Sequence, residues 1–190
     1  MDTETALIYG AGALSFVNLA WYAIKIWFRM TPANSIASWM MWVALDAVIL
    51  GSTIATHQPY ALSLSYVAGA LLVLIAHFKC GTWVWTNVET YSLIGAVIAT
   101  ILWQTVSANV GVLSGLTAMT LAGIPLMQYM WVHPDRKSFW MFTNTCIACV
   151  LTLIPTWPWT IGGSALSLGG LAFNGTMAWM TTRKPADVVV

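Results

Sequence analysis

Charge is what this 190-residue chain has least of. Only 7% of its residues are Asp, Glu, Lys or Arg, against 59% hydrophobic ones, where a soluble domain carries about 25% charged residues. So few charges cannot cover a water-facing surface. That excludes an ordinary soluble fold and predicts an all-α polytopic membrane protein whose main partner is the lipid bilayer. The net charge of +1 gives no reason to expect a nucleic-acid partner. Cysteine is scarce too. Three cysteines do not make a disulfide framework. Cys146-x-x-Cys149 lies inside an apolar helix, "NTCIACVLTL", without the exposed helix N-terminus that activates a redox pair, so both read as small packing residues.

Catalytic constellations are also missing. Asp46 is the one acid at membrane depth, and no His accompanies it. Paired carboxylates, a Ser/His pair or a metal-ligand set cannot be assembled around it. The expectation is a protein that is not an enzyme and uses no metal and no cofactor. A retinal photoreceptor would need a Lys in the middle of the last apolar run, and Lys184 lies beyond its end. The opening "MDTETA" lacks the basic stretch of a cleaved signal peptide, so the first apolar run is expected to be kept as a spanning helix.

What the chain does have is seven apolar runs: 6–28, 36–56, 60–79, 88–107, 109–131, 138–155 and 160–182. Each is near the 20 or so residues needed to cross a bilayer, and the breaks carry turn chemistry, as in "RMTPANS", "THQP" and "HPDRK". Under this map all seven basic residues (Lys25, Arg29, Lys79, Arg136, Lys137, Arg183 and Lys184) fall on one side. The positive-inside rule then puts the N-terminus outside and the C-terminus in the cytoplasm, as expected for a multi-pass protein of the cell's inner or plasma membrane. Many of the twelve tryptophans, among them Trp27, Trp103, Trp131, Trp140, Trp157 and Trp159, lie near run ends, as interfacial belts do.

The chain also repeats itself. "ALSL" occurs at 61–64 and again at 165–168, Pro32 and Pro134 precede the similar "PANSIASWM" and "PDRKSFWMF", and Lys79 and Arg183 close the third and seventh runs. These landmarks share nearly one spacing, so runs one to three read as a copy of runs five to seven. The expected organisation is a first triple-helix bundle with its following loop over 1–87, an inversion helix over 88–108, a second bundle over 109–182 and a cytoplasmic tail over 183–190. An intervening single helix restores the orientation of the second copy, giving a 3+1+3 parallel repeat about an axis along the membrane normal.

On these features the chain resembles the SWEET and PQ-loop transporter superfamily, over nearly its whole length. The loop prolines of "PANSIASW" and "PDRKSFW", the Asn and Trp of "FNGTMAWM" (Asn174 and Trp179) and the "GIPLMQ" stretch carry the likeness. No Pro-Gln dipeptide occurs, so it resembles a divergent member. The resemblance implies two triple-helix bundles, alternating access, a hinge at Pro125 and a small polar substrate such as a sugar or vitamin.

Within the runs, Asp46 in "WMMWVALDAVIL" lies about 15 Å from its helix start at 1.5 Å per residue, which is the midplane. An ionised Asp facing lipid there costs about 2.5–3.5 kcal/mol, so it is expected to face an interior cavity. Trp39, Trp42, Asp46, Ile49 and Thr53 share its stripe. Asp46 is a candidate coupling site for protons. It is also a candidate substrate ligand, with Asn18, Trp42, Gln128, Asn144 and Asn174 chosen for comparable depth. The alternative for each is interhelical glue. The Gly111-x-x-x-Gly115 motif leaves open packing within the chain or a homo-oligomer. A receptor or assembly subunit is the first alternative to a transporter, and an intramembrane enzyme the second.

Overall fold

The structure, a computed structural model, describes residues 2–31, 35–132, 134 and 136–183, with only the backbone at 125, 129 and 137. The loop residue Pro32 and Lys184 lie outside the described residues, as does most of the expected tail. Seven α-helices form among the described residues: α1 Thr3–Trp27, α2 Ile36–Ala55, α3 Ala61–Cys80, α4 Asn87–Thr105, α5 Ala108–Val132, α6 Phe139–Leu153 and α7 Ile161–Thr182. Each falls on one of the predicted apolar runs. Four of them, α1, α2, α3 and α5, are long and apolar enough to cross a membrane. The others depart from that standard for visible reasons. α4 carries Glu89, Gln104 and several Ser and Thr, and α7 is rich in Gly, Ser and Thr. α6 is 15 residues, about 22 Å long, and is preceded by a single 3-10 turn at Arg136–Ser138.

Helix ends follow local chemistry. Asp2 caps α1 by accepting from Thr5 N at 2.8 Å, and its bonds to Thr5 hold its carboxyl below the usual range. α1 and α2 end in the same way: Met30 N donates to Lys25 O and Gln58 N to Thr53 O, with Arg29 and His57 left-handed at φ 56° and 54°. That six-to-one bond is the Schellman close, normally given to glycine. α6 stops at Leu153, two residues before Pro155, whose ring nitrogen has no proton to donate. Thr156 Oγ1 and Trp159 Nε1 donate to the carbonyls left free at that end.

The helices do not pack in chain order. α1 lies against α3, and α3 against α2, while α1 and α2 are not close neighbours. Likewise α5 lies against α7, and α7 against α6. Contacts of α1 with α6 and of α2 with α5 join these groups, with smaller contacts of α2 with α7 and α3 with α6, and α4 packs on α5 and α2. Glycine permits the closest approaches. A Cβ at Gly12 would lie 2.8 Å from the Ala61 carbonyl oxygen, and one at Gly69 would lie 2.6 Å from Leu19 Cβ, so α1 and α3 touch nearly backbone to backbone. The Gly111 and Gly115 pair is used inside the chain: Gly111 faces Ser52 and Trp103, and Gly115 faces Ile49. Trp103, expected in an interfacial belt, is half-buried, its ring lying over Gly51.

Asn18 shows what holds the groups together. Buried on α1, it donates through Nδ2 to Met141 O at 2.8 Å and to Thr145 Oγ1 at 3.1 Å on α6. Interhelical bonds of this type contribute about 0.6–1.7 kcal/mol in membranes. Asn18→Leu is expected to lower the unfolding free energy by about that amount, measurable by SDS or thermal denaturation. An unchanged curve would show the bond to be dispensable.

Candidate functional site

Between the helices lies a cavity of about 560 Å³, within the usual range for ligand sites. Its walls come from every helix, but from only one half of most of them. α2 contributes Ser38, Trp39, Trp42 and Asp46, and nothing beyond; α6 contributes Met141, Phe142 and Thr145, and nothing beyond. Leu19 and Tyr22 of α1 come from its C-terminal half, and Met30, Thr31 and Ser138 lie at the mouth. The cavity therefore reaches the end of the bundle where α1, α3 and α7 finish, which carries Lys25, Arg29, Lys79 and Arg183, and on its other side it stops at Asp46, Tyr66 and Leu166. There Lys79 lies over the Trp27 ring at 3.9 Å and Arg183 over Trp131 at 3.3 Å, as cations do at aromatic faces.

The opposite half is closed. Ala11, Leu62, Ala148 and Cys149 form one buried cluster there, with Tyr66 packed against it from the cavity side. At the very end, a Cβ on Gly162 would meet Thr56 Oγ1 at 2.7 Å and Asn109 Oδ1 at 2.9 Å, and one on Gly163 would meet Gln58 Oε1 at 2.5 Å. The left-handed turn at His57 precedes Gln58 in the chain, so the unusual backbone there leads directly into the contact on Gly163.

Two carboxylates line the cavity, and their surroundings differ. Glu89 accepts from Ser38 Oγ, from the Thr86 backbone N at 2.8 Å and from the Thr86 hydroxyl, completing the capping box that starts α4. Its oxygens are occupied. Asp46 is 5% exposed and has no hydrogen-bond or ion-pair partner among the described residues. Tyr66 of α3 also lines the cavity, and its hydroxyl contacts Cys149 Sγ at 3.5 Å. Burying an ionised carboxylate without partners is costly, so Asp46 either holds a proton or takes a partner within the cavity.

Of the residues chosen for depth, Trp42, Asp46 and Asn174 line the cavity, and Trp42 reaches Phe173 of α7 with ring centroids 5.9 Å apart. Asn174 bonds back to Gly170 O at 2.8 Å. Asn18 is used between helices instead. Asn144 is half-buried and does not line the cavity, and Gln128 is exposed. Helical phase explains both: Thr145, one residue on, takes the inward position on α6, and α5 turns Met119, Ala122, Leu126 and Met130 inward. The α5 backbone is helical through Pro125, whose side chain lies outside the described residues. Tyr66, Phe173 and Glu89 were not among the chosen ligands. An aromatic on an apolar helix carries little signal, and an acid in the first turn of a helix, as Glu89 is, is accounted for by capping. Among the described residues no group of three His, Cys, Asp or Glu converges. Compared with known protein families, characterised proteins and solved structures, the chain matches none.

Proposed function

We propose that this chain is a membrane transporter of a small molecule, working by alternating access between two three-helix units and coupled to protons through Asp46. The observation that carries this reading is the one-sided cavity. It reaches one end of the bundle, is closed by glycine contacts at the other, and has an unpartnered carboxylate where it stops. An ionisable residue buried within a membrane bundle is by default a functional-site candidate.

The neighbour pattern supports a 3+1+3 parallel repeat. Mapping α1, α2 and α3 onto α5, α6 and α7 turns the α1–α3 contact into α5–α7, α2–α3 into α6–α7, and α2–α5 into α6–α1. All of these contacts occur. The cavity lies where the two units meet, as transporter sites do. The positive-inside rule makes the open end cytoplasmic, so the conformation is inward-facing. Cysteines introduced at Thr56 or Thr156 are expected to react with an impermeant maleimide from outside the cell, and one at Ser35 only from inside. Labelling of Ser35→Cys from outside would overturn this orientation. The function itself is tested by flux into proteoliposomes or by currents on a solid-supported membrane. If the folded protein moves no small solute, the reading fails.

A further inference from the structure

The chemistry of the lining narrows the substrate, on the reading of the cavity as a transport site. We propose that the cavity binds a monovalent organic cation, an ammonium group on an aromatic or branched apolar body, with the ammonium at Asp46.

The first ground is charge. Asp46 and Glu89 line the cavity, and among the described residues no Lys, Arg or His lines it. Glu89 is fully engaged by Ser38 and Thr86, which leaves Asp46 as the carboxylate with free acceptor capacity. The second ground is the hydrogen-bond inventory. The Thr120 hydroxyl donates to Leu116 O, the Thr145 hydroxyl to Met141 O, and the Asn174 amide to Gly170 O. The two hydroxyl donors and one of the two Asn174 N–H are thus used on their own helices, while the Thr120, Asn174 and Asp46 oxygens can still accept. The donors that remain on the lining, the second Asn174 N–H, the Trp39 and Trp42 indole N–H and the Tyr66 hydroxyl, are neutral, so an anion would find no opposite charge among the described lining residues. A polyol needs both kinds around its ring, and a ligand that only donates does not.

The third ground is shape and surface. Tyr22, Trp39, Trp42, Tyr66 and Phe173 put aromatic rings on several sides of the space, and ring faces attract cations as well as apolar groups. A sugar gains from stacking on one ring but would leave most of its hydroxyls against Met, Leu and Phe side chains, unpaired. Asp46 at the end of an aromatic-walled cavity instead matches a molecule whose single charge sits at one end. The same carboxylate then accepts a proton or the cation, one at a time, which gives exchange without a separate coupling residue.

The test uses three probes that share a phenethyl body and differ in charge: phenethylammonium, phenethyl alcohol and 3-phenylpropionate, with glucose as a polyol. Binding to the purified full chain is read by tryptophan fluorescence and by thermal shift. The expected result is saturable binding of phenethylammonium at least about tenfold tighter than the alcohol, with no binding of the anion or glucose, since a charge-assisted bond contributes about a factor of ten or more. Asp46→Asn should lose at least that factor, and Asp46→Glu should keep the preference for the cation, which separates loss of charge from loss of fold. Equal binding of cation and alcohol, preferential binding of glucose, or unchanged cation binding by Asp46→Asn would overturn the assignment. Flux separates this inference from the transport reading. A cation that binds through Asp46 but is not carried across proteoliposomes leaves the site standing and defeats transport. Carriage of glucose, without cation binding, does the reverse.

Discussion

Asp46→Asn is expected to abolish pH-driven accumulation of phenethyltrimethylammonium, a permanently charged cation that cannot cross lipid as a free amine, in proteoliposomes. With an acidic interior, exchange of one proton for one monovalent cation stores about 1.36 kcal/mol per pH unit, or about tenfold accumulation per unit at equilibrium. The sign follows from the shared carboxylate. Protons leaving down their gradient vacate Asp46 toward the outside, where the cation loads, so an acid interior draws the cation in and an alkaline interior does not. Asparagine keeps the shape of the side chain but holds neither a proton nor a counter-charge, so accumulation should fall to unity. Few other groups can substitute. From α3 the facing ionisable group is Tyr66, with the Cys149 thiol of α6 behind it. Glu89 on α4 lies nearer the mouth with its oxygens occupied, and α7 brings none among its described side chains. Persistent tenfold accumulation by Asp46→Asn would show that the coupling proton rides elsewhere.

Much of this arrangement was legible before any coordinates. The helices could be read because apolar runs are interrupted by residues that break helices for known reasons, and the short α6 ends where Pro155 removes a donor. That Asp46 would face inward followed from cost alone. Depth could be read from helix length, but the inward face could not, because a shift of one residue rotates a side chain by about 100°. Asn144 and Gln128 were chosen by depth and lost by phase. Even on the correct stripe, only part of the face is used. Trp39, Trp42 and Asp46 line the cavity, whereas Ile49 packs on Gly115 and Thr53 bonds to the Ile49 carbonyl in the closed half. No local pattern marks where a cavity stops. That is decided by glycines on other helices. The Gly111 and Gly115 motif could not itself say whether its partner was another chain; Trp103 and α2 fill that role.

Gly162→Val is expected to open the closed end. Its Cβ would stand 2.7 Å from Thr56 Oγ1, 2.9 Å from Asn109 Oδ1 and 3.0 Å from Thr56 Cβ. Valine adds two methyls to that crowded position, and rotation about χ1 cannot move the Cβ itself. Overpacking of this kind costs about 1–3 kcal/mol. Gly162 belongs to α7 and Thr56 to the end of α2, so the two Thr56 contacts fall between the units and are relieved when they part, whereas the Asn109 contact lies within the second unit and is met by the end of a side chain. The open-to-closed ratio at that end should then rise by about 5- to 150-fold. Cys149 reports the change. It is fully buried between the closed end and Tyr66, so in a Cys80→Ser, Cys146→Ser background the wild-type closure should leave it unreactive toward an impermeant maleimide applied from the N-terminal side. Gly162→Val should label it from that side and reduce labelling of sites at the opposite mouth. Gly175, on the same helix with nothing within 4 Å of an added Cβ, supplies the control: Gly175→Ala should label like the wild type. Continued protection of Cys149 in a folded Gly162→Val protein would mean that this contact does not close the pathway. Labelling from both sides together with a collapsed melting temperature would mean that the substitution unfolds the bundle and leaves the two-state exchange without support from this contact.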